Sequence, residues 1–320
     1  MTTDGTTDAT TATAATTATA ASAVTAPAAD GTTTDDGRGD GRLAVVGAGV
    51  MGTALATLAV GCGLPVLLID VSEAQLERAR ATVRQQLRHA RLLGKLPKGP
   101  DGELTLSTSY ERLDTAAAVV EAVTETTDAK VKALGAISAA VRPGTLIASN
   151  TSAVPVDELA GYTQHPEDVV GTHFMNPPYL IRAVEVIRGP RTGEAAMGAL
   201  DRLLTALDRE VIVVGDGPGF VSNRILMRVI NDAARLVAEG RAAAENVDRV
   251  FTGCFGHRTG PLATADLIGL DNIVDTLKVL HDRTGDDGYL ACDLLLEKVR
   301  AGDFGHKTGN GFYSYGGTRA

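Results

Sequence analysis

A glycine-rich turn between an apolar run and a helical stretch constrains the fold of this 320-residue chain more than any other feature. The run at 43–46 has strand length, and the sequence Gly-Ala-Gly-Val-Met-Gly follows it directly. In a strand–turn–helix unit the first glycine makes the tight turn, the second lets the backbone approach a pyrophosphate, and the third permits close packing of helix on strand. The pattern therefore predicts a dinucleotide site built from Gly47, Gly49, Val50, Met51 and Gly52.

An acidic residue ends the next predicted strand, at 65–70, and lies 18 residues beyond the last glycine of the turn. A carboxylate at that place accepts hydrogen bonds from ribose hydroxyls and repels a 2′-phosphate. Asp70 therefore favours NAD over NADP as the cofactor; a position near the start of the next helix is its alternative role. Ser72 followed by Gln75 is typical of a capping box and predicts a helix that reaches about residue 93.

Strand and helix patterns alternate through the first two thirds of the chain. Further apolar runs of strand length lie at 104–107, 117–123, 145–149, 169–174, 182–187 and 211–214. This alternation predicts an α/β fold with a doubly wound, mainly parallel Rossmann-type sheet covered by helices. Strand patterns stop after Gly215, and amphipathic helices are predicted near 219–239, 245–252, 262–267, 271–284 and 289–299. We expect a Rossmann-type domain at 41–216 and a smaller all-helical domain at 217–320.

The first forty residues differ in composition from the rest. They contain 25 Thr or Ala residues and almost no side chain that could anchor a core, which predicts a disordered tail at 1–40. Six aspartates and one arginine place −5 of the formal charge of −9 in this tail, so the remaining chain carries only −4. No basic stripe follows a predicted face, which argues against nucleic acid or an anionic membrane as a partner.

Cys62, Cys254 and Cys292 are widely separated and lack the spacing of a zinc site. No apolar stretch is long enough to cross a bilayer, and the first residues lack the pattern of a signal peptide. We therefore expect a cytoplasmic protein without a metal site.

Four polar segments, at 149–152, 171–178, 184–186 and 218–224, interrupt apolar stretches at predicted strand ends or helix starts. Ligands of open α/β sheets bind in the crevice at such strand ends. His173 and Glu185 lie on neighbouring predicted strands, and an imidazole with an acidic partner is typical of a proton-transfer site.

Together these segments resemble the 3-hydroxyacyl-CoA dehydrogenase family over residues 42–315. The markers, in the family's order, are Gly-Ala-Gly-Val-Met-Gly, Ser-Asn-Thr-Ser, His-Phe-Met-Asn-Pro, Pro-Gly-Phe-Val-Ser-Asn-Arg, Asp-Leu-Ile-Gly-Leu-Asp and Lys-Thr-Gly-Asn-Gly-Phe-Tyr. The intervals of 21 residues from Ser152 to His173, 12 from His173 to Glu185 and 50 from His173 to Asn223 also fit its pattern. The resemblance implies an NAD-dependent enzyme that oxidises the 3-hydroxyl of an acyl thioester.

The resemblance also assigns roles to single residues. His173 is the expected base, and Glu185 is expected to hydrogen-bond its other ring nitrogen, fixing the tautomer and stabilising the imidazolium. Ser152 is expected to hold the substrate oxygen at C3, and Asn223 to position substrate and base. Simple capping is the alternative role for both of these residues.

Four further residues are implied as cofactor contacts. Glu125 and Lys130 are expected beside the cofactor ribose and phosphate, and Asn176 near the nicotinamide. Lys307 is expected to reach the cofactor from the C-terminal segment. The family likeness further implies a homodimer formed by the helical domain, whose apolar stripe includes Ile225, Val229, Ile230 and Leu236.

The chain departs from the family pattern in the helix after the second strand. Relatives that use coenzyme A usually carry a Ser and a Lys pair there, whereas this chain has Gln86, Leu92 and Leu93. An acyl carrier protein (ACP) is therefore a possible acyl carrier in place of free CoA.

A second departure is the segment Asn176-Pro-Pro-Tyr179-Leu-Ile-Arg182, whose tyrosine and arginine suit a polar acyl group. Similar segments occur in the branch of the family that oxidises glyceryl-ACP towards hydroxymalonyl or methoxymalonyl polyketide extender units, and in gulonate 3-dehydrogenases. We therefore expect a 3-hydroxyacyl thioester dehydrogenase. Glyceryl-ACP, 3-hydroxybutyryl-CoA and gulonate are alternative substrates, and a non-catalytic dinucleotide sensor is the alternative function.

Overall fold

The computed structural model describes residues 41–316, so the predicted tail at 1–40 and the last four residues lie outside the described part of the chain. The described chain contains one sheet of eight strands: β1 (Leu43–Val46), β2 (Val66–Ile69), β3 (Leu104–Ser107), β4 (Ala118–Glu121), β5 (Leu146–Ser149), β6 (Val169–Phe174), β7 (Ala183–Arg188) and β8 (Glu210–Gly215). Their order across the sheet is β3-β2-β1-β4-β5-β6-β7-β8.

Five helices cover the two faces of this sheet: α1 (Val50–Gly61), α2 (Glu73–Leu92), α3 (Thr127–Ala140), α4 (Val156–Ala160) and α5 (Glu194–Ala206). One apolar cluster joins α1, α2 and α5 to the sheet, and a second joins α3 and α4 to it. Alternate residues of β1 enter the two clusters, because a strand covered on both faces must be apolar throughout. The predicted doubly wound Rossmann-type fold is confirmed.

Strand direction changes once. The strands β1 to β6 are parallel, β7 runs antiparallel to β6, and β8 is parallel to β7. Residues of an antiparallel pair lie directly opposite one another, so β6 and β7 can bring two side chains into contact at the crevice edge of the sheet.

The predicted helical C-terminal domain is also confirmed. It consists of α6 (Ser222–Ala238), α7 (Ala244–Cys254), α8 (Pro261–Ile268), α9 (Leu270–Thr284) and α10 (Asp293–Arg300) around its own apolar cluster. Among the helices of the described part, none is long and apolar enough to cross a membrane.

The start of α6 differs from the prediction at 219. Gly219 and Phe220 have φ angles of +69° and +53°, which an α-helix cannot contain, so α6 begins at Ser222. This left-handed turn aims the first amides of α6 back at the sheet.

Candidate active site

The structure pairs the two side chains that the sequence singled out. His173 on β6 and Glu185 on β7 are direct partners in the antiparallel register, and the His173 Nδ1 lies 3.0 Å from the Glu185 Oε2. Both side chains are largely buried, each 8% exposed. A pair held by two strands of one sheet needs little reorganisation to work, because the backbone register already fixes the separation of the two side chains.

Glu185 also accepts hydrogen bonds from residues at the start of α6. The amides of Val221 and Ser222 donate to its Oε1 over 2.8 and 3.0 Å, and the Ser222 hydroxyl donates to its Oε2 over 2.5 Å. Burial alone raises the pKa of the Glu185 carboxyl, but the hydrogen bonds from His173, Ser222 and Val221 outweigh burial and lower that pKa to about 2. Glu185 is therefore an anion throughout the neutral pH range.

An ionised Glu185 determines which ring nitrogen of His173 carries hydrogen. A carboxylate only accepts hydrogen bonds, so His173 Nδ1 is the donor and the neutral ring keeps its lone pair on Nε2. The Ser222 oxygen, 3.2 Å from the same Nδ1, is a second acceptor. Phe220 packs nearby, with its ring centroid 6.0 Å from that of His173. The arrangement leaves Nε2 as the basic atom of the pair.

Ser152 is held through both of its peptide groups. Its amide donates to Glu125 Oε1 over 2.8 Å, and its carbonyl oxygen accepts from Asn223 Nδ2 over 2.8 Å. Within residues 41–316 the Ser152 hydroxyl has no hydrogen-bond partner. Because Asn223 adjoins Ser222 in the chain, the start of α6 joins the hydrogen bonds of Ser152 to those of His173 and Glu185.

The glycine turn fits a dinucleotide. A Cβ on Gly52 would lie 1.7 Å from the Gly47 carbonyl oxygen, and a Cβ on Gly47, at φ +102°, would lie 2.5 Å from that of Ala122. A Cβ on Gly49 would meet nothing within 4 Å among the described residues. The first amides of α1, from Val50 onward, receive no side-chain cap. Open space before uncapped helix amides suits a pyrophosphate.

Asp70 lies beside this turn. Its Oδ2 accepts from the Ala48 amide over 2.8 Å and its Oδ1 from the Ser72 amide over 3.0 Å. Each carboxylate oxygen retains further acceptor capacity, so the half-buried group can also receive ribose hydroxyls. The predicted capping box is only half formed: Ser72 Oγ accepts from the Gln75 amide, but the Gln75 side chain donates to Ala48 O instead.

Three of the expected cofactor contacts are described by their positions alone, and their roles stay predictions. Lys130 is fully buried, and its ammonium lies between Glu121 and Glu125. Lys307 pairs with Asp271 and lies over a phenylalanine ring, both within the helical domain. Asn176 is exposed in the loop between β6 and β7.

Two side chains, Tyr179 and Arg182, suggested a polar acyl group. Neither makes a contact with His173 among the described residues. Tyr179 is buried in the apolar cluster with α1, α2 and α5. Arg182 makes a bidentate pair with Asp208 on the surface, where its side chain is 61% exposed. These positions add no support to a polar acyl group, which stays a prediction.

Sequence reasoning missed two residues of the hydrogen-bond network. Ser222 lies in the Pro-Gly-Phe-Val-Ser-Asn-Arg segment, where its hydroxyl, next to Asn223, was the available signal. Glu121 is a lone acid within the apolar run at 117–123, and such a residue in a buried strand requires a partner.

The open space at Gly49 predicts a selective loss of cofactor binding. In Gly49→Ala the methyl group enters space that the protein leaves empty, so we expect a normal melting temperature but a dissociation constant for NADH raised at least about tenfold. Titration of NADH fluorescence measures this, without interference from tryptophan because the chain has none. Gly52→Ala is the contrasting variant, which should also lower the melting temperature; unchanged NADH affinity in Gly49→Ala would contradict the assignment.

Glu185→Gln preserves shape but removes the charge beside His173. We expect kcat for the oxidation that the resemblance implies to fall about 10²-fold or more, because an imidazolium formed at His173 loses its anion. Steady-state assays at 340 nm measure this.

The same variant tests the low pKa of Glu185. A carboxyl whose folded pKa lies below its ordinary 4.5 stabilises the fold above that value, and the contribution is lost as the pH falls towards about 2. The difference in unfolding free energy between wild type and Glu185→Gln should therefore be largest at neutral pH and shrink below about pH 4.5. The exposed Glu210→Gln is the control; a difference independent of pH would contradict the assignment.

Comparison with known proteins agrees with this geometry. The family model for the NAD binding domain of 3-hydroxyacyl-CoA dehydrogenase matches residues 42–217, and the model for the C-terminal domain of the same family matches residues 219–315. A probable 3-hydroxybutyryl-CoA dehydrogenase of Bacillus subtilis is 38% identical over 278 residues, which cover 86% of this chain and 97% of that protein.

Two further relatives extend the comparison. A 3-hydroxybutyryl-CoA dehydrogenase of Bradyrhizobium diazoefficiens is 36% identical, with 87% of this chain and 96% of that protein covered. The crystal structure of (S)-3-hydroxybutyryl-CoA dehydrogenase PaaH1 from Ralstonia eutropha superposes with a TM-score of 0.80 at 37% identity, covering 87% of this chain and 99% of that one. The chain thus belongs to the 3-hydroxyacyl-CoA dehydrogenase family and is an NAD-dependent oxidoreductase that acts on a CH–OH group.

Proposed function

We propose that the chain oxidises the 3-hydroxyl of a short 3-hydroxyacyl thioester, with His173 as the base. The observation that carries this proposal is the hydrogen bond from His173 Nδ1 to an ionised Glu185, which leaves Nε2 free to receive a proton. A base must lie within hydrogen-bond reach of the hydroxyl that it deprotonates, and Nε2 is the atom available for that contact.

Each residue of the site has its own role in the proposed oxidation. NAD, which the glycine turn at 47–52 and Asp70 would hold, would supply the hydride acceptor for C3 of the substrate. His173 Nε2 takes the hydroxyl proton, and Glu185 stabilises the imidazolium that results. The Ser152 hydroxyl, which has no partner among residues 41–316, holds the oxygen at C3, and Asn223 fixes Ser152 through its carbonyl oxygen. Hydroxyl orientation of this kind keeps the C–H bond directed at the cofactor.

The acyl carrier of the substrate is either free CoA or ACP. The names of the relatives, 3-hydroxybutyryl-CoA dehydrogenases, support free CoA. On α2, however, the Gln86 side chain is engaged by the Thr57 hydroxyl at 2.8 Å, and Leu92 and Leu93 are exposed. An exposed leucine pair beside cations suits a protein surface better than a phosphate, which keeps ACP as the second candidate. The exposed cations of this end of α2 and the following loop are Arg84, Arg88, Arg91, Lys95 and Lys98.

The remaining alternatives have less support. The surface pair of Arg182 with Asp208 removes the side-chain argument for glyceryl-ACP and gulonate. A sensor without catalysis needs the glycine turn but has no use for a base oriented by an anion. We also propose a cytoplasmic location, which suits the three free thiols of Cys62, Cys254 and Cys292.

A substrate panel tests the proposal. We expect turnover of (3S)- or (3R)-3-hydroxybutyryl-CoA with NAD, followed at 340 nm, and about 10²-fold to 10⁴-fold lower kcat in His173→Ala with NADH affinity retained, because the proton acceptor is lost. The exposed His165→Ala is the matched control. Faster turnover of a 3-hydroxyacyl-ACP would assign the carrier to ACP. Turnover of gulonate alone, or equal activity of wild type and His173→Ala, would overturn the proposal.

We also propose a homodimer formed by the helical domain. Of the predicted stripe, Ile230 is buried in the core of its own domain, but Ile225 and Leu236 are 60% and 41% exposed. Leu267, at 66%, adds to the exposed apolar surface of the same domain. Exposed apolar side chains of this kind suit an interface where they form one continuous patch.

Sedimentation velocity tests the dimer. We expect one species of twice the chain mass, and dissociation in the double variant Leu236→Glu with Leu267→Glu, because burying two carboxylates in an interface is costly. Leu92→Glu on α2 is the control for added charge. A wild-type monomer at micromolar concentration would contradict the proposal.

A further inference from the structure

A serine hydroxyl of the helical domain lies against both members of the His173–Glu185 pair. The Oγ of Ser222, the first residue of α6, is 2.5 Å from Glu185 Oε2 and 3.2 Å from His173 Nδ1. Since Nδ1 and Oε2 are themselves 3.0 Å apart, the three atoms form a closed triangle of hydrogen-bonding groups. A serine at this place is therefore close enough to affect both the carboxylate and the imidazole.

The charge of Glu185 decides where the hydrogens of this triangle lie. An ionised carboxylate accepts hydrogen bonds and donates none, so Oε2 receives hydrogen from both Ser222 Oγ and His173 Nδ1. The serine oxygen, which gives its one hydrogen to Oε2, keeps its lone pairs for Nδ1. The carboxylate oxygen that binds the ring is thus shared with a hydroxyl.

Ser222 also completes the acceptor sites of the carboxylate. Glu185 Oε1 accepts from the amides of Val221 and Ser222, and Oε2 accepts from His173 and the Ser222 hydroxyl. A carboxylate offers about four lone-pair sites, and these four donors fill them. Because Ser222 supplies one donor to each oxygen, it spans the carboxylate and opposes its rotation.

We propose that Ser222 is a positioning residue for the base: its hydroxyl holds Glu185 Oε2 opposite His173 Nδ1 and shares the negative charge of that oxygen with the ring. The inference deepens the proposed function, because it rests on His173 acting as the base and on Glu185 as its anion. In this role Ser222 acts through Glu185 and takes no proton from the substrate.

The electrostatics of the pair agree with this role. Burial raises the pKa of the Glu185 carboxyl, but the hydrogen bonds from His173, Ser222 and Val221 outweigh burial and lower that pKa. Among the contacts of the pair within residues 41–316, His173 on β6 is the titratable partner of the carboxylate, whereas the start of α6 and the Phe220 ring contribute neutral groups. Loss of the hydroxyl therefore leaves the charge of Oε2 to the ring alone, which stabilises an imidazolium.

Ser222→Ala is the primary test. We expect the acid limb of the kcat/KM profile to move to higher pH, because an imidazolium that no longer shares its anion is harder to deprotonate. Above that limb kcat should fall about threefold to tenfold, since a freer carboxylate orients the ring less well, while the dissociation constant for NADH changes less than about threefold. Ser314→Ala, at an exposed serine of the C-terminal segment, is the matched control and should behave as wild type.

Two further variants keep the test decisive if Ser222→Ala disturbs the start of α6. Threonine and valine are both β-branched and nearly equal in shape, but only threonine keeps a hydroxyl. Ser222→Thr should therefore retain the acid limb of wild type, and Ser222→Val should show the limb of Ser222→Ala. Equal pH profiles for these two variants would contradict the proposal.

A double variant shows whether Ser222 acts through Glu185. In Glu185→Gln the anion is absent, so the addition of Ser222→Ala should change neither kcat nor the acid limb any further. A serine that merely supports the start of α6 would lower kcat by the same factor in both backgrounds, and that result would overturn the positioning role.

Nuclear magnetic resonance separates this inference from the choice of substrate. The Nδ1 proton of His173, assigned by its absence in His173→Ala, should move downfield in Ser222→Ala, because an unshared Oε2 accepts it more strongly. Ser314→Ala should leave this resonance in place, whatever the enzyme turns over. Wild type without thioester activity would overturn the proposed function but leave this shift intact, whereas an unmoved resonance in Ser222→Ala would overturn the role of Ser222.

Discussion

The hydrogen bond between His173 and Glu185 depends on one reversal of strand direction. If β7 ran parallel to the first six strands, its connection would require a long crossover, and Glu185 would not lie directly opposite His173. The same reversal aims Glu185 at the first amides of α6, where it serves as the anion for both an imidazole and a helix terminus. One carboxylate therefore ties the expected base to the start of the second domain.

The site is shared between the two domains through short polar contacts. Asn223 reaches across to the Ser152 carbonyl oxygen, the Gly219 amide donates to the Ala153 carbonyl oxygen, and Arg283 of α9 pairs with Glu158 of α4. Such contacts are specific in direction, and the helical domain keeps an apolar cluster of its own.

The charged side chains near Ser152 have different partners in the interior and at the crevice. In the interior, Glu121 and Lys130 are fully buried and form an ion pair, and Ser149 donates a hydrogen bond to Glu121. At the crevice, Glu125 is partly exposed and accepts hydrogen bonds from backbone amides. Breaking such a set at one member leaves an uncompensated charge, which costs more than the bond itself contributes. Because breaking one contact is this costly, the charged cluster favours a rigid loop at 151–153.

Local pattern was sufficient for the fold class, the glycine turn and the paired candidates His173 and Glu185, because apolar periodicity, glycine stereochemistry and residue spacing act over short stretches of chain. The helix beginning at Ser222, the surface position of Arg182 and the burial of Lys130 were decided only by the tertiary structure. The positions of the two cations depend on side chains distant in sequence. Arg182 pairs with Asp208 at the surface, and Lys130 lies between the carboxylates of Glu121 and Glu125. A lysine and an arginine look alike as cations in a sequence, but burial and partners determine whether such a cation meets a ligand or holds the protein together.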